Sequence, residues 1–109
     1  MNPDESCNPA NCTADPRPDE SLDAEELAVL LKALAHPARI RLLQYLARQG
    51  SCFFGSLAQV VNLAPSTVSQ HVQVLKASGL LLWSTQEQRT CYCVNPDRLA
   101  VLKRLVEAL

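Results

Sequence analysis

The chain has 109 residues, a net charge of -1, 48% hydrophobic residues and five cysteines. That length implies one domain with a modest core that gains from a partner subunit. With no apolar run long enough for a membrane helix and an acidic start, neither a transmembrane span nor a signal peptide is expected, and the protein is read as cytoplasmic.

The charge is polarised along the chain. Residues 1–26 hold eight acids against one base, whereas residues 27–109 hold nine bases against three acids. A basic body suits a polyanionic partner such as double-stranded DNA. Residues 1–22, rich in Pro, Asp, Asn and Ser and without a period, read as a flexible acidic tail carrying Cys7 and Cys12, which leaves 23–109 as the folded domain.

In chain order, a first helix is expected over 23–35, with Leu27, Leu30, Leu31 and Leu34 on one side. His36-Pro37 interrupts it, and a second helix over 38–49 turns Ile40, Leu43, Leu46 and Ala47 inward until Gly50 closes it. Cys52-Phe53-Phe54 reads as a short strand, followed by a brief helix over 56–61 and a turn over 62–64. The helix after Pro65 starts at Ser66 and stops at Gly79; Val68, Val72 and Leu75 fall at core spacing, and the short polar groups lie on its other faces. A hairpin pairs 80–84 with 90–94 around a tip at Gln86-Glu87-Gln88. A last helix follows Asn95-Pro96-Asp97, with an apolar stripe at Leu99, Leu102, Leu105, Val106 and Leu109. The first and last helices carry more leucine than so small a core uses, so part of both is assigned to a dimer interface.

Leu34-Ala35-His36-Pro37 with Arg39 and Arg41, the Ser69 to His71 element, and the Leu75 to Leu80 lead into a hairpin are ordered and spaced as in one known family. Over residues 24–109 the chain resembles the ArsR/SmtB family of metal- and metalloid-responsive bacterial repressors. The resemblance implies a mainly α (α+β) winged helix-turn-helix of about five helices plus a two- to three-stranded wing, dimeric, which holds operator DNA until an inducer releases it. Two-fold symmetry would place two recognition helices in successive major grooves. The expected DNA-contacting residues are Ser66, Thr67, Ser69, Gln70, His71, Gln73, Lys76 and Arg89, with Arg41 as a further phosphate contact. His36 is assigned to local capping. No enzyme is expected, since no Cys-x-x-Cys, phosphate loop or nucleophile constellation is present.

Sensing falls to the cysteines, where the chain departs from its resemblance. The arsenic and cadmium branches begin the helix before the turn with Cys-Val-Cys-Asp-Leu, which would place cysteines at Phe53 and Gly55; neither is one. The zinc branch's terminal-helix site needs histidine, which residues 97–109 lack. The all-sulfur set that remains selects soft or borderline ions. Arsenite or antimonite is the first expectation, and cadmium or lead the next. Cys7, Cys12 and Cys52 are the preferred ligands, and Cys52, Cys91 and Cys93 the rival set. A redox- or persulfide-sensing repressor, using Cys52 with Cys91 or Cys93, is the alternative function.

Overall fold

The computed structural model describes residues 23–49, 52–86 and 89–109. The expected tail with Cys7 and Cys12, the helix stop at Gly50 and the tip residues Glu87 and Gln88 lie outside them. Eight elements follow in order: α1 (Ala24–Ala33), α2 (Pro37–Gln49), β1 (Phe53–Phe54), α3 (Ala58–Val61), α4 (Pro65–Ser78), β2 (Leu81–Gln86), β3 (Arg89–Val94) and α5 (Pro96–Glu107). Together they form a winged helix-turn-helix.

Each helix start has a local cause. Asp23 accepts from the Glu26 N–H at 3.0 Å and caps α1, while Asn95 accepts from the Arg98 N–H at 3.3 Å and caps α5. Proline, whose missing N–H is no loss at a helix start, occupies the first position of α2, α4 and α5. His36 caps α2 with its ring, Nδ1 accepting from the Ala38 N–H at 3.0 Å. The recognition helix therefore begins at Pro65, one residue before the expected Ser66. Gly79 ends it in the left-handed region at φ 86°.

The core is leucine from four directions. Leu30 of α1, Leu42 of α2, Leu75 of α4, and Leu80 and Leu81 at the entry to the wing are fully buried. Each is worth about 1.5–3 kcal/mol by burial, so they dock the helices onto the sheet far more strongly than the short strands alone could. Along α2 the inward row is Ala38, Leu42, Leu43 and Leu46. The expected inward Ile40 is half exposed and Ala47 is exposed, because each lies on the far side of the helix from Leu42. Leu31 likewise faces outward, and Ala33 takes an inward position on α1.

The sheet has order β1-β3-β2, antiparallel throughout. Its strands β2 and β3 extend further toward the tip than expected, pairing from Leu81 with Val94 out to Gln86 with Arg89. The register sets Phe53 and Trp83 on either side of Tyr92. Alternation along the strands puts those three rings on one face and the Cys91 and Cys93 side chains on the other.

Candidate nucleic-acid interface and thiol centre

The turn between α3 and α4 is made by Asn62, held at φ 53°, a conformation asparagine tolerates better than most residues. It throws α4 across α1 with Val68, His71, Val72, Leu75 and Ser78 buried. Ser66, Ser69, Gln70 and Gln73 are left exposed, and Thr67 is half-buried. These are the short polar groups and amides suited to phosphates and base edges. Arg41 is exposed on α2, and Arg89 stands at the start of β3, opposite Gln86.

His71 corrects the sequence expectation. At 9% exposure it points into the fold, with its ring centroid 4.3 Å from that of His36 and its Nδ1 3.3 Å from Arg39 Nη1. Arg39 also donates through Nε to the Ala33 carbonyl at 2.7 Å and through Nη2 to the Lys32 carbonyl at 3.4 Å. The guanidinium thus satisfies the Ala33 carbonyl at the end of α1 and gives the Lys32 carbonyl a second donor beside the Ala35 N–H, while facing α4. Accepting from Arg39 requires an unprotonated Nδ1. Burial, and then the neighbouring His36 and Arg39 charges, hold the His71 imidazole below its ordinary 6.5.

The other end of α4 is fixed by a second arginine. Arg98 Nε donates to the Ser78 carbonyl at 3.0 Å and its Nη1 pairs with Glu26, so one side chain of α5 binds both α1 and the C-terminus of α4. Ser78 Oγ donates to the Leu75 carbonyl at 2.8 Å and accepts from the Leu80 N–H at 3.3 Å. Sequence reasoning assigned Arg39 and Arg98 no such roles. The available signal was the unsatisfied carbonyls at the ends of α1 and α4, which attract cationic donors.

Lys76, expected at a phosphate, is half-buried instead. Its Nζ stands 4.3 Å from the Trp83 ring centroid and 5.8 Å from that of Tyr92, both within the roughly 6 Å reach of a cation–π contact. A cleft of about 200 Å³ adjoins this stack, lined by Ser56, Ser69, Gln73, Lys76 and Tyr92 among others.

On the opposite face of the wing the cysteines converge. Cys52, immediately before β1, forms a disulfide with Cys93 across a Cα–Cα distance of 4.5 Å. Cys91 is a free thiol, 4% exposed, with its Sγ 3.9 Å from that of Cys93. The three sulfur atoms lie within 4.8 Å of one another. Reduced, they form a compact trithiol suited to a soft ion; oxidised, only Cys91 remains able to ligate. The structure therefore brings together the rival set Cys52, Cys91 and Cys93, whereas the preferred set depends on Cys7 and Cys12, which lie outside the described residues.

A family model described as a helix-turn-helix domain matches residues 34–82, from the end of α1 through the recognition helix to the first residues of β2. The biofilm growth-associated repressor of Agrobacterium fabrum is 37% identical over 94 residues, covering 86% of this chain and 77% of that one. Among solved structures, a winged helix-turn-helix domain from Mycobacterium bovis, titled homodimeric and a possible ArsR-family regulator, is 27% identical with a TM-score of 0.62, covering 76% of each chain. The chain belongs to the ArsR-type helix-turn-helix transcriptional regulators. Reduced HlyU from Vibrio cholerae matches this regulator at 27% identity and a TM-score of 0.62, covering 77% of it and 88% of HlyU. In this ArsR-type regulator, then, α4 is the second helix of the helix-turn-helix, and the thiol centre lies in the adjoining wing, before β1 and on β3.

Proposed function

We propose that this regulator is a homodimeric repressor whose hold on operator DNA is set by the thiol state of Cys52 and Cys93. The observation that carries the reading is the Cys52–Cys93 bond itself, which ties the entry of the helix-turn-helix to the wing. An intracellular, partly exposed cysteine pair of this kind serves redox sensing better than structure. With a peroxide as oxidant, one thiolate attacks the O–O bond, giving a sulfenic acid and water; the second thiol then displaces a second water and closes the disulfide. A sulfane-sulfur donor would modify the same pair.

Dimerisation is supported by the outward-facing Val29 and Leu31 of α1 and Val106 and Leu109 near the end of α5, apolar side chains that the single chain does not cover. The Mycobacterium bovis neighbour is homodimeric by its title. Repression of transcription, as the name of the Agrobacterium relative has it, follows from an operator-bound dimer that inducer dislodges. By linkage, oxidation weakens DNA binding by the same factor by which DNA disfavours the disulfide.

The test is fluorescence anisotropy on a labelled duplex from upstream of the regulator's own gene. The reduced protein binds, peroxide releases it, and Cys52→Ser or Cys93→Ser variants remain bound. Equal affinity of reduced and oxidised wild type would overturn the reading.

The buried Cys91 thiol beside the pair favours a second reading, in which reduced Cys52, Cys91 and Cys93 take arsenite or antimonite, or else cadmium or lead. Ion-driven release under a non-thiol reductant, lost in Cys91→Ser, supports that set. Loss instead in Cys7→Ser and Cys12→Ser would assign the ligands to the tail.

A further inference from the structure

We propose that Lys76 is a DNA-phosphate contact that the thiol centre switches off, an inference that rests on the redox reading above. Ser69, Gln73 and Lys76 follow one another at i, i+4 and i+7, so one row of α4 carries all three. The first two are exposed. Lys76 shares their row, yet in the disulfide form its ammonium stands over the Trp83 and Tyr92 rings. A cation held on an aromatic face is drawn away from a phosphate on the same side of the helix.

The platform is joined to the thiols through the backbone. Tyr92, the farther of the two rings by Lys76 and the cross-strand partner of the nearer Trp83, lies between Cys91 and Cys93 and opposite Phe53, so the platform is flanked by the two cysteines of β3. β1 contributes only two residues to the sheet edge, and the Cys52–Cys93 bond is the covalent closure of that edge. Without it, a two-residue strand fixes the Phe53–Tyr92 register weakly. The cleft of about 200 Å³ beside Tyr92 gives the ring space to move, and Ser56, Ser69 and Gln73 line the same cleft with hydroxyls and an amide that can complete a phosphate site. Reduction thus loosens the platform and frees the ammonium toward DNA.

Salt dependence reads this directly, because each phosphate neutralised by a cation contributes about 0.9 to the slope of log K against log salt. The experiment measures that slope for the full-length protein, reduced and oxidised, on the same upstream duplex. The reduced wild type has the steeper slope. Lys76→Met removes about 0.9 per DNA-bound subunit from the reduced slope and leaves the oxidised slope unchanged. Trp83→Leu takes away the nearer ring and returns the steeper slope to the oxidised protein.

If Lys76→Met lowers both slopes equally, or neither, the lysine is not switched. An oxidised Trp83→Leu slope that stays at the wild-type value also overturns the proposal. Oxidation that weakens wild-type binding while Lys76→Met leaves both slopes intact removes the lysine proposal alone; oxidation without effect on wild-type binding removes the redox reading as well.

Discussion

Breaking the Cys52–Cys93 bond should cost this domain a large share of its stability, and the size of the loss identifies the bond. The cross-link spans a sequence separation of 41. On the loop-closure relation, constraining a segment of that length in the unfolded chain stabilises the fold by about 4 kcal/mol at 25 °C. A Cys91–Cys93 bond, which encloses one residue, would on the same relation give about 1 kcal/mol. Urea unfolding of oxidised and reduced wild type at one protein concentration measures the difference. With a slope of about 1.5 kcal/mol per molar, reduction lowers the midpoint by about 2.5 M. Cys91→Ser retains the whole effect, and Cys93→Ser abolishes it. A shift near 1 kcal/mol that disappears in Cys91→Ser would mean that the bond joins the two cysteines of β3, refuting the pairing on which the redox reading stands.

Three further outcomes are expected. Because the folded pKa of His71 is depressed, its contribution to stability is fully present above the ordinary value of 6.5 and is lost as the pH falls below it. The melting temperature should therefore drop between pH 7 and pH 5.5 in the wild type, and less steeply in His71→Asn; parallel profiles would show that the histidine is not the titrating group. Gln70→Ala should weaken binding to the cognate duplex by about 1–3 kcal/mol and leave binding to unrelated DNA unchanged, as expected of a base-edge contact, and uniform weakening across sequences would make it a phosphate contact instead. Gly79→Ala should destabilise the fold by about 1–2 kcal/mol in thermal unfolding, since φ is 86° and the added methyl would stand 3.3 Å from Arg98 Nε; a neutral result would mean that the helix end relaxes freely.

The order of elements was legible in the sequence because periodicity and punctuation agreed. Gly79 stopped the recognition helix as its position required, and Asp23 and Asn95 capped where side-chain oxygens were available. Ile40 misled because the apolar residues of α2 fit two phases, one with Ile40 and Ala47 and one with Ala38 and Leu42, and packing selects the second. His71 misled for a different reason. Its place three residues after Val68 and four before Leu75 puts it on the buried row of α4, a signal outweighed by its polar chemistry; only the partner, Arg39, 32 residues earlier, was beyond reach of the spacing. The pairing of Cys52 with Cys93 rather than Cys91 depends on the register between β1 and β3, a non-local quantity that no spacing along the chain encodes.

The disulfide also changes the connectivity of the molecule. Residues 52 and 93 bracket β1, α3, α4, β2 and most of β3, so in the oxidised state the helix-turn-helix and the wing form one covalent ring, with α1, α2 and α5 attached outside it. A single backbone cut anywhere inside that ring leaves one connected molecule. Reduction turns the same cut into two separable fragments, and the regulator's tolerance of a nick becomes a property of its redox state.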